Sequence, residues 1–349
     1  MKMNTRCIAA LAMMAPCLLH QSPEAGACTR VLYEGDGDLY VVGRSLDWKT
    51  PIPTNVYIYP AGMAKQGNVQ ENSVKWVSKY GAVYAVGYDA GITEGMNEKG
   101  LTVNGLFCKG TVYSNPQTAD RSPMSLAVFV AWMLDNFATT DECVAALQKH
   151  DFDISGATFD GGTVSTLHWG ITDAGGNTAI LEFDNGDIKI YQGKDIRTLT
   201  NDPQWPAMQA INDYWKKVKG KDMLPGTVKS PDRFVRADYY IRHVEKTADP
   251  DLAVSITESV LRTACVPYSY TVEDEPNVSS TQWISFANIR DKRYYFHPIT
   301  SLGLYYVDLN KCNLKPGAPV MKLEVAAVAR CTGEINSHLK KSEPFQPMY

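Results

Sequence analysis

The sequence predicts an α+β fold, a single layered domain, and two observations carry that prediction. Runs rich in β-formers occupy both ends of the chain while helical patterns fill its middle, and strands and helices nowhere alternate in the regular βαβ rhythm of a doubly wound sheet. With 349 residues, 44% of them hydrophobic and 21% charged, the chain can bury a full-sized core. No repeat, low-complexity tract or linker divides it after residue 27, so residues 28–349 read as one domain.

Residues 29–34 and 39–44 are short β-rich runs joined by Gly35-Asp36-Gly37-Asp38, a hairpin-turn composition. Residues 55–59, 75–86 and 101–107 continue the pattern, the last following the turn Asn97-Glu98-Lys99-Gly100. Residues 124–137 are apolar nearly all round and long enough for a buried helix. Thr139-Thr140-Asp141-Glu142 makes a capping box for a second helix reaching about residue 148. Residues 165–172, 178–183, 188–191 and 197–200 then read as an antiparallel meander, punctuated by Gly175-Gly176 and Asp184-Asn185-Gly186-Asp187. Helices are predicted over 205–218, over 231–244 with Ser230 as N-cap and Pro231 in the first turn, and over 251–265. Strands return at 282–289, 293–296 and 302–309.

The first 27 residues stand apart from this core. Lys2 and Arg6 give a positive start, residues 7–19 are an apolar stretch broken only by Pro16, and Ala25-Gly26-Ala27 is a small-residue cleavage signal. A secretory signal peptide over 1–27 is expected, with an exported, periplasmic or secreted, mature protein. No later stretch approaches the roughly 18 apolar residues of a membrane span, so no stable membrane anchor is expected. Formal charge is −4, from 34 basic and 38 acidic residues, which argues against a nucleic-acid partner.

Cleavage after Ala27 makes Cys28 the N-terminal residue, with thiol and free α-amine together. An unperturbed α-amine titrates near 7.7–8.0, so the base that activates the nucleophile is built in. The same junction admits lipid acylation of Cys28, although Ala25 stands where a lipobox carries a Leu-like residue, and it admits an ordinary disulfide. Cys108, Cys143, Cys265, Cys312 and Cys331 remain, an odd number that cannot all pair among themselves. The phosphate-loop, dinucleotide, zincin and G-x-S-x-G signatures are absent and the six histidines are scattered, so neither a cofactor nor a metal is expected.

Cys28-Thr29-Arg30, Gly43-Arg44-Ser45-Leu46-Asp47-Trp48, Glu94-Gly95-Met96-Asn97-Glu98-Lys99-Gly100-Leu101, Ser165-Thr166-Leu167-His168-Trp169, Leu199-Thr200-Asn201 and Ser230-Pro231-Asp232-Arg233-Phe234 occur in one order. In that order they resemble the choloylglycine hydrolase family, which contains bile salt hydrolases and penicillin V acylases among the N-terminal nucleophile hydrolases. The resemblance covers residue 28 to about 233, continues through Ser279-Ser280-Thr281-Gln282-Trp283, and fades over the last 40 or so residues.

The resemblance implies an αββα four-layer sandwich, two antiparallel sheets between helical layers. It implies a hydrolase of linear, non-peptide amides acting through a thioester. Cys28 matches the nucleophile, Arg44 a cation beside the thiol, Asp47 the acid that orients the new amine, Asn201 an oxyanion donor, and Arg233 a further arginine near the site. An apolar acyl pocket is expected around Trp48, Met63, Tyr84, Phe107 and Tyr113. Phe107 stands where many bile salt hydrolases carry an asparagine, so the second oxyanion donor must come from elsewhere, most simply a backbone N–H. The segment between Asn201 and Arg233 is shorter than in Gram-positive members, which use an extension there for tetramer assembly. These departures resemble the Gram-negative branch, whose members act on penicillin V and on N-acyl homoserine lactones. The implied partner is a small amide with an apolar acyl group. A conjugated bile salt is the alternative substrate, a catalytically inactive or lipidated periplasmic binding module is the alternative of another class, and the sequence leaves a homo-oligomer open.

Overall fold

The structure, a computed structural model, describes residues 27–117, 119–149, 151–159, 163–270 and 279–349. The expected signal peptide, apart from Ala27, lies outside the described residues.

Two large sheets face each other. One has seven strands in the order Thr198–Leu199, Thr29–Glu34 (β1), Tyr40–Trp48 (β2), Ser280–Asn288, Arg293–Pro298, Tyr305–Asp308 and Gly333–Glu334. The other has nine, in the order Asp187–Gly193, Thr178–Asp184, Leu167–Thr172, Thr102–Phe107, Gly91–Asn97, Ala82–Gly87, Thr54–Tyr59, Met321–Leu323 and Lys340–Lys341. Pairing within both is antiparallel except where Tyr305–Asp308 meets Gly333–Glu334.

Three apolar layers hold the sheets and helices together. Between the sheets, Leu32, Val42, Leu46 and Trp283 meet Val56, Ile58, Val83, Met96 and Leu106. Helices α1 (Leu126–Asn136) and α2 (Thr140–Leu147) cover the far face of the nine-stranded sheet, where Phe129, Leu134 and Cys143 pack with Tyr84, Val103 and Leu181. Helices α4 (Ser230–His243) and α5 (Pro250–Arg262) cover the far face of the seven-stranded sheet, with Val31, Val41 and Phe286 under Ala237, Ile241, Ala253 and Leu261. Helix α3 (Trp205–Val218) packs on α4. The order helix, sheet, sheet, helix is the αββα sandwich. Because each sheet is covered on both faces, the central strands are buried along their length instead of alternating, as β2 shows.

The local signals mostly hold. Thr139 accepts from Glu142 N at 3.2 Å and Glu142 accepts from Ala138 N at 2.8 Å. Several expectations need correction. The run 75–86 is two strands, Lys75–Val77 and Ala82–Gly87, because Lys79 and Tyr80 turn to donate to the Asp135 carbonyl at the end of α1. Ser230 is not the N-cap of α4 but its first residue, and its hydroxyl donates to Thr200 Oγ1. The run 302–309 is strand only over Tyr305–Asp308, and Gly91–Asn97, hidden in a motif, is a full strand. Met124 and Ser125 end a strand, with Ser125 capping α1.

Candidate active site

The first strand pair builds the site. β1 runs antiparallel to β2 with Thr29 opposite Ser45 and Arg30 opposite Arg44, which sets Cys28, just before β1, beside the last residues of β2. The neighbouring strand Ser280–Asn288 shifts register on β2 between Thr281 and Trp283, opposite Asp47 and Leu46, so the sheet is irregular at this end.

Cys28 is buried, and its thiol lies 3.6 Å from Arg44 Nη2 and 4.0 Å from the Asp47 carbonyl oxygen. Arg44 is itself fixed on several sides. Its Nη2 donates to Gly105 O at 2.9 Å, its Nη1 pairs with Glu94 Oε2 at 3.2 Å, and its guanidinium lies 4.7 Å over the Trp283 ring. Glu94 also accepts from Tyr294 OH at 2.6 Å, from Ser285 Oγ and from Asn104 Nδ2 at 3.1 Å. Asn104 in turn accepts from Arg30 Nε at 3.0 Å. A buried chain of charge-assisted hydrogen bonds therefore anchors the cation that faces the thiol. Burial pushes the Arg30 guanidinium down to about 10, against the attraction of Glu94.

Asp47 is fully buried, and Ser45 Oγ donates to its Oδ2 at 3.3 Å. Burial raises its carboxyl to about 6, against the opposing pull of Arg233 and lesser contributions from Thr281, Arg44 and Ser45.

Asn201 and Arg233 approach from other elements. The strand Thr198–Leu199 pairs with Val31 and Arg30 of β1, which delivers Asn201 to the same end of the sheet. Arg233, in the first turn of α4, donates from Nη1 to Cys28 O at 2.7 Å and Thr29 Oγ1 at 2.6 Å, and from Nη2 to Asn201 Oδ1 at 2.8 Å. Asn201 Nδ2 donates to Phe107 O at 2.7 Å. With its carbonyl held by Arg233 and one amide hydrogen on Phe107, the Asn201 amide has one orientation and one further hydrogen. Burial lowers the Arg233 guanidinium, and Asp47 and Cys28 oppose that shift. All five residues matched to catalysis thus converge, though they are drawn from β2, α4, the residue just before β1 and the loop after Thr198–Leu199.

The acyl residues divide. An apolar cavity of about 110 Å³ beside Cys28 is walled by Leu46, Trp48, Ile52, Ile92, Phe107 and Leu167, among others. Trp48 and Phe107 meet edge to face with ring centroids 5.5 Å apart. Met63, Tyr84 and Tyr113 do not reach it. Met63 lines a different cavity, Tyr84 lies in the core with its hydroxyl on Asp135, and Tyr113 packs on Phe183 with its hydroxyl on Ser165 O. All three are aromatic or flexible apolar residues whose sequence context does not distinguish a core wall from a pocket wall. Sequence reasoning missed Glu94 as the counterion of Arg44 and Ile92 and Leu167 as pocket wall; fifty residues separate Glu94 from Arg44, and no local spacing signals that pair.

Behind Asn201, ligand atoms of Cys108, His168 and Glu182 lie within 4.8 Å of one another. His168 Nε2 donates to Thr200 O at 2.6 Å and Nδ1 faces Glu182 Oε1 at 3.1 Å, so neither ring nitrogen offers a metal a free lone pair. Burial opposes charge on this ring, yet Cys108 and Glu182 outweigh it and raise its titration to about 10. The six described cysteines are all free thiols.

Comparison with known proteins agrees with this geometry. The profile of the linear amide C–N hydrolases, choloylglycine hydrolase family, matches residues 28–324. A penicillin V acylase from Pectobacterium atrosepticum is 34% identical over 346 residues, 92% of each chain. A bile salt hydrolase/transferase from Clostridium perfringens is 25% identical over 320 residues, 82% of this chain and 94% of that one. The structure of penicillin V acylase from Agrobacterium tumefaciens superimposes with a TM-score of 0.85 at 37% identity, covering 92% of this chain and 99% of the other. A variant of the conjugated bile acid hydrolase from Clostridium perfringens, at 19% identity and a TM-score of 0.71 over 92% of this chain and 99% of the other, shares the fold.

Proposed function

The chain belongs to the choloylglycine hydrolase family of linear amide C–N hydrolases, and from that premise we propose that it is an N-terminal cysteine amidohydrolase of the penicillin V acylase type. Removal of residues 1–27 as an export signal exposes the Cys28 amine, which takes the thiol proton. Arg44, 3.6 Å from Sγ, favours the thiolate. The sulfur attacks the amide carbonyl and forms a C–S bond, and the charge that develops on oxygen is met by the second Asn201 N–H and a backbone N–H. The C–N bond then breaks as the leaving nitrogen receives the proton from the Cys28 ammonium. Water hydrolyses the thioester and restores the thiol. Arg233 holds Cys28 O and Asn201 Oδ1 together, so nucleophile and oxyanion donor keep one spacing, and Asp47 orients the amine.

The observation that carries the substrate assignment is the edge-to-face pair of Trp48 and Phe107 beside the thiol. A narrow aromatic cavity suits a flat aryl group such as phenoxyacetyl, or one flexible chain such as that of an N-acyl homoserine lactone, better than a fused steroid. Initial rates of the mature enzyme on penicillin V, a medium-chain acyl homoserine lactone, glycocholate and taurocholate test this, with Cys28→Ala as blank. Preference for the first two is expected; preference for the bile salts overturns the assignment and leaves amide hydrolysis standing.

A further inference from the structure

A second cavity adjoins the first and shares a wall residue with it. It measures about 250 Å³, and its walls include Met63, Trp76, Val128, Ala131 and Phe345. Ile92 is common to both walls. The one cation at its edge, Lys65, is paired with Asp135 at 2.9 Å, so the cavity offers no free positive charge there. The Cys28 cavity alone, at about 110 Å³, falls well below the roughly 300–1,000 Å³ of pockets that hold whole small molecules.

The backbone at Ile92 is irregular. Ala85 faces Glu94 while Val86 faces Ile92, so Thr93 is an extra residue in its strand. Such a bulge re-aims side chains, and here Ile92 and Thr93 in succession both contribute to the Cys28 cavity. The C-terminal segment lines the far side. Met348 N donates to Ala90 O at 2.9 Å, Ser125 Oγ donates to Met348 O at 2.8 Å, and Phe345 N donates to Tyr59 OH at 2.9 Å. Ala90 and Ser125 directly precede the wall residues Gly91 and Leu126. The segment thus ties together two walls of the Cys28 cavity while lining the second one.

We infer that the second cavity is a distal acyl subsite, that Ile92 sets how far an acyl chain reaches into it, and that its ligand is the terminal part of a straight aliphatic chain. This inference rests on the acylase reading above. Each methylene that enters gains about fourfold in kcat/KM, from a burial free energy of about 0.8 kcal/mol per CH2.

The test is kcat/KM for one amine acylated with chains from butanoyl to dodecanoyl. Ile92→Ala is expected to raise the decanoyl-to-butanoyl ratio at least tenfold, and Ile92→Val, one methyl smaller and gentle on the fold, to raise it less. Adding Met63→Trp, which fills the second cavity, removes the gain. An unchanged chain-length profile in Ile92→Ala with butanoyl turnover retained overturns the inference, as does a gain that survives Met63→Trp. Calorimetric binding of decanoate and butanoate to the Cys28→Ala protein, with and without Ile92→Ala, reads the subsite without turnover. A shifted affinity ratio there, with none of the acylated amines hydrolysed by the protein that retains Cys28, upholds the subsite and rejects the acylase reading, and an unshifted ratio rejects the subsite itself.

Discussion

Replacing Glu94 by glutamine isolates the device that holds Arg44 against the nucleophile. Glu94 and Arg44 expose only 1% and 2% of their side chains. The glutamine carbonyl can keep the Ser285 and Tyr294 hydroxyl donors that now reach Oε1, which turns its amide toward Arg44 Nη1 and Asn104 Nδ2, donor against donor. Removing one partner of a buried pair costs about 3–5 kcal/mol, because the surviving charge is left without compensation. Urea unfolding at pH 7 should therefore show a lowered midpoint at unchanged slope, corresponding to that loss. The double-mutant cycle sharpens the reading. With Arg44→Met in place the carboxylate of Glu94 is the unpaired charge, so adding Glu94→Gln should be neutral or stabilising. A loss below about 1 kcal/mol, or an equal loss with and without Arg44, refutes the claim that Glu94 is the counterion of Arg44. In the folded single variant, alkylation of Cys28 at neutral pH should also be slower, because the cation at 3.6 Å is no longer held in place.

Cys28→Ala should abolish turnover while leaving the thermal unfolding cooperative; retention of most activity removes Cys28 from the nucleophile position. Asn201→Ala should lower kcat by about 10²–10³ with little change in KM, since an oxyanion donor acts in the transition state, and a pure KM effect would place Asn201 in ground-state binding. Asp47 makes the uncleaved chain pH-sensitive: its carboxyl is raised from 3.8 to about 6, so its contribution is fully present below about pH 4 and is lost as pH rises through 6. Relative to Asp47→Asn, the uncleaved wild type should lose about 3 kcal/mol between pH 4 and 7, and equal pH profiles in urea unfolding would contradict the burial argument. His168→Leu strips the Thr200 carbonyl of its 2.6 Å donor, so it should lower kcat through a displaced Asn201, and its effect should vanish in an Asn201→Ala background.

The α+β class and most of the strands and helices are legible along the chain, and the resemblance carried by its motifs singles out Cys28, Arg44, Asp47, Asn201 and Arg233. Those features are local: hairpin turns, a capping box, a cysteine directly after the expected export signal, and motifs whose order is visible along the chain. The signals failed where a distant contact decided the outcome. Residues 75–86 look like one strand until the carbonyl of Asp135 breaks them, and Ser230 looks like a cap until Thr200 claims its hydroxyl. The pocket shows the same division. Trp48 and Phe107 reach the cavity by the thiol, whereas Met63, Tyr84 and Tyr113, no different in composition, face elsewhere. Trp48, Tyr84 and Phe107 lie in strands buried on both faces, which give no polar alternation from which facing could be read, and Met63 and Tyr113 lie in loops with no periodicity at all, so only tertiary packing assigns each residue to core or cavity. Glu94 is the sharpest case, because burial of an ion pair is a property of two distant strands meeting, and neither strand carries a sign of it alone.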